Sequence, residues 1–186
     1  MSRNTGTQKT ALLGILCAQA LAVSALEGML PAFLPLPGAK PGFSNIVTMF
    51  CVSSLGVPYA LAVTLFKAVF ALITRGSVAF FLSLSGGLLS LALMAVFLRI
   101  RPGVLGLTGV GVVCALAHNA GQLLTASVIL GEELFSLAPL LALMSVVTGL
   151  LTGTALKLTL PFFKRQCAFL QNKTALSDKR NNTEKR

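Results

Sequence analysis

Six apolar runs, separated by short breaks, predict an all-α protein that crosses a membrane several times. The longest run, residues 43–75, would extend about 50 Å as one helix, whereas a hydrocarbon core is ~30 Å thick. Gly56-Val57-Pro58 interrupts this run and divides it into two helices, of which the first is the shorter. The helices are expected near residues 10–31, 44–56, 58–75, 77–98, 104–130 and 134–156.

The basic residues test this helix count, because cytoplasmic loops carry an excess of Lys and Arg. With six spans and a cytoplasmic N-terminus, twelve of the fifteen basic residues fall inside: Arg3, Lys9, Arg99, Arg101 and the eight from Lys157 onward. Five spans would put the N-terminus and the basic tail on opposite faces. We therefore predict a multi-pass protein of the inner (cytoplasmic) membrane with both termini cytoplasmic. Its expected parts are a cytoplasmic N-terminus (1–9), a six-helix membrane domain (10–158) and a basic, partly disordered tail (159–186).

Composition supports a single membrane-embedded domain. Hydrophobic residues make up 55% of the chain and charged residues 11%, whereas a soluble domain carries about a quarter charged residues. The net charge of +10 comes mainly from the C-terminal tail, which indicates contact with anionic lipid headgroups rather than with nucleic acid. Val23-Ser24-Ala25 resembles a signal-peptide cleavage site, but the apolar run continues past it and favours a retained first helix.

The break at residues 34–45 differs from the others in its polar content. It contains Lys40, Asn45, two glycines and three prolines between two apolar segments. Such backbone cannot form a helix, and at a membrane it is tolerated only where it is buried in protein or lines a wet cavity. We therefore predict a binding loop here, on the outer side and acting as a lid.

Three polar residues lie together in the fifth apolar run. His118 and Gln122 are one helical turn apart and Asn119 is adjacent, so they share one broad helix face. Polar side chains at this depth are costly and often functional. The alternative is a satisfied contact between helices that binds no ligand.

Charges near this face indicate an anionic ligand. Lys67 lies inside an apolar run, where an isolated charge costs ~3 kcal/mol or more, so it needs an anion nearby. Glu27 could supply it, which would make the pair structural. Lys40, Lys67 and Arg75 outnumber that one acid, however, although Glu132 and Glu133 could neutralise part of the excess. The remaining positive charge favours a carboxylate or phosphate.

Small residues recur every fourth position in the first helix, at Gly14, Ala18 and Ala22, and again at Gly149 and Gly153 in the sixth. This spacing lets a second helix approach closely. Packing within the bundle and contact with a partner protein fit the pattern in the first helix equally well.

Sequence motifs for catalysis are largely missing. The chain has no Walker sequence, no aspartate-rich diphosphate motif and one histidine, and its four cysteines have no C-x-x-C spacing. We therefore expect no enzymatic activity, no metal and no cofactor.

Several segments together resemble the Gx transporter family, which is often described as heptaprenyl diphosphate synthase component I. They are Leu26-Glu27-Gly28-Met29-Leu30-Pro31, Pro37-Gly38-Ala39-Lys40-Pro41-Gly42-Phe43-Ser44-Asn45, Gly86-Gly87 and Ala117-His118-Asn119-Ala120-Gly121-Gln122. The resemblance covers residues 10–158. The chain departs from the family pattern at Pro41 and Lys67.

The resemblance implies a six-helix bundle similar to the substrate-binding S components of energy-coupling factor transporters. Such a subunit binds a micronutrient and docks on a transmembrane coupling protein driven by ATPase subunits, all supplied by other chains. The small residues of the first helix form the docking surface there. The alternatives are a membrane accessory component of prenyl diphosphate or quinone biosynthesis and a scaffold protein. The predicted substrate-binding residues are Glu27, Lys40, Asn45, Lys67, Arg75, His118, Asn119 and Gln122.

Overall fold

The computed structural model describes the backbone of residues 3–29, 42–100, 106–131 and 134–184, and the side chains of residues 10–29, 42–97, 106–131 and 134–161. Within these ranges the chain is all-helical, as predicted. The α-helices are α1 (Arg3–Met29), α2 (Asn45–Ser54), α3 (Val57–Arg75), α4 (Ser77–Ile100), α5 (Leu107–Leu130) and α6 (Ala138–Glu184). A short 3₁₀ helix at Leu134–Leu137 precedes α6.

Five of the described helices are long and apolar enough to cross a membrane, so the chain is a multi-pass membrane protein. The candidate spans are Thr10–Met29, Val57–Arg75, Ser77–Phe97, Leu107–Leu130 and Leu134–Pro161, with mean hydropathies from 1.5 to 2.2. Helix α2 has only 10 residues, which extend about 15 Å, or half of a hydrocarbon core. The sixth crossing therefore stays a prediction.

Helices α2 and α3 form an antiparallel hairpin. They are joined at Gly56, whose φ of 101° is open only to glycine at low cost. The Lys67 amine of α3 donates a hydrogen bond to Asn45 at the start of α2. Each of the two residues is about ten positions from Gly56, so the helices run back along one another. Asn45 consequently lies near the middle of α3.

Helices α3 and α4 form a second hairpin around Gly76, which also has a positive φ of 89°. Thr64 packs against Gly87 so closely that a Cβ at Gly87 would lie 2.6 Å from the Thr64 methyl group. These two residues are nearly equidistant from Gly76, which fixes an antiparallel arrangement.

The crossing of α5 and α6 is built from glycines. A Cβ at Gly111 would lie 2.5 Å from the Gly149 carbonyl oxygen, and a Cβ at Gly153 would lie 2.7 Å from the Thr108 Cα. The backbones therefore touch directly. The two glycines of α6 serve packing within the bundle.

Helix α6 departs from the sequence-based expectation in length. It was expected to end near residue 156, but it continues through Pro161 to Glu184. The expectation of a partly disordered tail stays a prediction, since the side chains beyond residue 161 lie outside the described ranges.

Candidate functional site

A small polar cavity lies among α1, the start of α2, α3, α4 and α5. Its volume of about 10 Å³ is room for roughly one water molecule. Four of the predicted site residues, contributed by α3 and α5, line it together with a glycine and a serine of the predicted binding loop and two serines that the sequence analysis missed. The lining residues are Ser24, Gly42, Ser44, Lys67, Arg75, Ser83, His118 and Gln122.

His118 and Gln122 present one polar edge to this cavity. Both are almost fully buried, at 4% and 3% exposure. The Gln122 Nε2 and the His118 Nε2 are joined by a hydrogen bond of 2.8 Å, as their spacing of one turn allows. This bond fixes the imidazole and the amide relative to one another.

Glycines of α4 and α5 position the histidine ring. A Cβ at Gly86 would lie 2.7 Å from the His118 carbonyl oxygen and 2.8 Å from its Nδ1. A Cβ at Gly121 would lie 2.9 Å from the Gly86 Cα. The Ser85 hydroxyl donates a hydrogen bond to the Gly121 carbonyl at 3.1 Å. Only glycine at position 86 leaves space for the ring. The pair Gly86-Gly87 was one of the segments that resemble the family, but the sequence did not predict its contact with the histidine.

Lys67 connects the cavity to the chain segment that precedes α2. Its Nζ donates to Asn45 Oδ1 at 2.9 Å, and both residues are buried. Gly42 lies against the histidine, since a Cβ there would be 3.1 Å from His118 Cδ2. The backbone N–H of Asn45 donates to the Gly42 carbonyl at 3.0 Å. Gly42 and Ser44 line the cavity, and Asn45 is bonded to Lys67 beside it, so the end of the predicted binding loop (residues 42–45) contributes one wall.

Glu27 lies beside the cavity rather than in its lining. It is 5% exposed, and neither carboxylate oxygen has a hydrogen-bond partner among the described residues. The carboxylate interacts electrostatically with the Arg75 guanidinium. Of the described side chains, Glu27 is the sole carboxylate, whereas Lys67 and Arg75 are both at the cavity. The described part of the site therefore carries an excess of positive charge.

Asn119 is directed away from the cavity. Its Nδ2 donates to Ser145 Oγ at 2.7 Å and, at 3.4 Å, to the Leu141 carbonyl, both on α6. The broad polar face predicted on α5 is thus divided: two residues line the cavity and one holds α6.

Lys40 and residues 34–41 lie outside the described residues, as do Glu132 and Glu133. Their predicted roles as cation, lid and counter-charge stay predictions. Within the described ranges, no three His, Cys, Asp or Glu side chains are grouped as metal ligands.

A second surface of interest is the face of α1 that points away from the other helices. The buried face of this helix carries Leu16, Ala20, Ser24 and Glu27. On the opposite face, Gly14, Ala18 and Ala22 are exposed, and nothing lies within 4 Å of a Cβ placed at Gly14. The small residues of α1 do not pack within the described bundle, in contrast to those of α6.

A known protein family matches most of this chain. Residues 16–159, from within α1 to within α6, match the model of a protein family described as heptaprenyl diphosphate synthase component I. Neither a curated protein nor a solved structure matches the chain significantly.

Proposed function

The chain belongs to the heptaprenyl diphosphate synthase component I family, and on that premise we propose that it is the membrane-embedded substrate-binding subunit of a transporter, similar to energy-coupling factor S components. The observation that carries the proposal is the polar cavity, where Lys67, Arg75 and the His118–Gln122 pair converge from two helices. Polar groups buried at this depth are costly and often mark substrate pathways.

The ligand is an anionic or amphipathic small molecule. Lys67 and Arg75 supply positive charge, and Gln122, His118 and the three lining serines supply hydrogen bonds. Charge-assisted hydrogen bonds to a carboxylate or phosphate are stronger than neutral ones, particularly away from water. Such an anion also offsets the cost of keeping two cations near one acid.

Ligand entry requires the wall at residues 42–45 to move, because the cavity as it stands holds roughly one water. The wall is held by the Lys67–Asn45 hydrogen bond. An anion that takes over the Lys67 amine would release Asn45 and loosen the wall. Ligand binding is thereby coupled to the predicted loop.

The exposed small-residue face of α1 is the docking surface for a transmembrane coupling protein. A helix from another chain can approach Gly14, Ala18 and Ala22 closely, and close approach is how helices associate in lipid. The ATPase subunits and the coupling protein are supplied by other chains.

Binding is tested by purifying the full chain from native membranes and identifying the small molecules that it retains. We expect Lys67→Met and Gln122→Ala to lose an anionic compound that the wild type and the control Lys157→Ala keep. Lys157 is exposed and outside the cavity. The same retained compounds in all four proteins would refute the site.

Partner docking is tested with a matched pair of substitutions. Ala18→Leu places a bulky side chain on the proposed docking face, and Ala92→Leu places the same side chain on an exposed position of α4. We expect ATPase subunits to co-purify with the wild type and with Ala92→Leu but not with Ala18→Leu. Equal recovery from both variants would contradict the assignment of this face.

The family's description favours a second candidate function, a membrane accessory component of heptaprenyl diphosphate or quinone biosynthesis. Prenyl transfer should then depend on this chain. Chain-length-resolved assays of membranes with and without the protein distinguish the two functions, and identical products would exclude the biosynthetic one.

A further inference from the structure

An apolar furrow runs along α1 and α2 next to the polar cavity. It has a volume of about 280 Å³. Its lining residues come from α1, α2 and α6, and they are Leu12, Ile15, Leu16, Gln19, Ile46, Val47, Phe50 and Thr159. The furrow exists because α1 and α6 both pack against α2 and hardly against each other.

The furrow and the polar cavity are lined by neighbouring residues of the same two segments. On α1, Gln19 of the furrow is five residues from Ser24 of the cavity, a rise of about 7.5 Å. On the segment leading into α2, Ser44 lines the cavity and Ile46 lines the furrow. The two pockets are therefore close together along α1 and at the start of α2.

The two cavities differ in size and in chemistry. The polar one holds about 10 Å³ beside two cations, and the apolar one about 280 Å³ with no charged residue in its lining. A ligand larger than a few atoms must place most of its volume outside the polar cavity. The furrow accepts hydrocarbon and disfavours a charge, because a charge there would be desolvated without a partner.

We infer that the furrow holds an apolar chain of the transported ligand. The substrate class is then an amphipathic anion, with a compact carboxylate or phosphate head at Lys67 and Arg75 and an aliphatic chain along α1 and α2. This inference rests on the proposed binding function and adds the class of the ligand.

The test is a binding titration of the full chain in lipid nanodiscs. The probes are inorganic phosphate, butyl phosphate and octyl phosphate, and a parallel series of acetate, hexanoate and decanoate. We expect affinity in one series to rise with chain length, by up to about fourfold per methylene. Ile46→Phe fills the furrow and should abolish this rise while leaving the affinity for the shortest probe unchanged. Ile73→Phe, on the exposed face of α3 at 78% exposure, is the control and should keep it.

The outcomes separate the two ideas. Binding of no probe would overturn the anion site and with it this inference. Binding of every chain length with equal affinity, or an equal rise in the Ile46→Phe variant, would overturn the furrow alone. If native mass spectrometry shows that Ile46→Phe loses co-purified phospholipid while the rise persists, the furrow holds a bilayer lipid and the inference fails.

Discussion

Gly86 determines where the only histidine of the chain can lie. The His118 ring packs directly on the Gly86 backbone, and the Gln122 hydrogen bond fixes its other nitrogen. Both the place and the orientation of the imidazole are thus set by neighbours that are themselves buried.

Replacing Gly86 by alanine should therefore disturb the site. The new Cβ would lie 2.7 Å from the His118 carbonyl oxygen, which forces a backbone shift and costs about 1–3 kcal/mol of stability. We expect a lower unfolding temperature in detergent and weaker ligand binding. Gly14→Ala, where nothing lies within 4 Å, is the control and should lower neither, because alanine favours a helix over glycine. Equal behaviour of the two variants would contradict the close contact.

Asn119 and Gln122 should separate stability from binding. Asn119 bonds to Ser145 on α6, so Asn119→Ala leaves a buried hydroxyl without this donor and should cost about 1–3 kcal/mol of stability. Gln122 lines the cavity, so Gln122→Ala should weaken ligand binding. Thermal unfolding and ligand affinity, measured on both variants, check this division. An Asn119→Ala protein of normal stability that fails to bind would restore Asn119 to the ligand site.

At the scale of elements, the same sequence pattern of small residues has two different uses. Gly149 and Gly153 bring α6 into backbone contact with α5, whereas Gly14 and Ala18 face outward from α1. The spacing alone predicts close approach by some helix. Which helix approaches depends on the neighbours of α1 and α6, and this follows only from the packing of the bundle.

The α5–α6 crossing should be intolerant of added volume. Gly153→Ala would place a methyl group 2.7 Å from the Thr108 Cα, so the helices must separate, at a cost of about 1–3 kcal/mol. Leu151→Ala, at a side chain that is 56% exposed on the same helix, should cost much less. Unfolding temperatures of the two variants in one detergent test the difference. A larger loss in Leu151→Ala would contradict the crossing.

At the scale of the whole molecule, successive helices run in alternating directions. The hairpins at Gly56 and Gly76 reverse the chain twice. In the α4–α5 pair, Ser85 contacts Gly121 and Ser90 contacts Cys114, so the two helices run in opposite directions. In the α5–α6 pair, position 108 meets position 153 and position 119 meets position 145, with the same result. Although α2 is short, it begins beside Lys67 near the middle of α3 and ends where α3 begins, so it covers half the length of α3. A six-pass topology, which stays a prediction, requires this of a ten-residue helix.

The alternation predicts that both termini lie on one side of the membrane. Reporter fusions that are active in only one compartment should give a cytoplasmic signal at both the N-terminus and the C-terminus, because the basic loop residues and the basic tail belong inside. A fusion after Gly131, at the opposite end of α5, should report the outer side. Signals from opposite sides at the two termini would show that α2 does not complete a crossing.

The sequence alone determined the class of the protein and most of its elements. The apolar runs predicted all-helical structure and placed α2 to α5 within three residues of their ends, because lipid requires long apolar segments that satisfy their own backbone. The same runs also identified Lys67, Arg75, His118 and Gln122 as candidate site residues, because a polar side chain in lipid is costly unless it is paired or binds a ligand.

Only the tertiary structure decided which of these side chains share a cavity. Periodicity placed Asn119 and Gln122 on one face of α5, but the position of α6 turned Asn119 to Ser145. Ser24 and Ser83 gave no sequence signal of a binding site, because a single serine is unremarkable in a membrane helix and becomes a lining residue only when other helices converge on it. The furrow likewise depends on α1 and α6 standing apart over α2, and such separation is a property of three helices together rather than of any one segment.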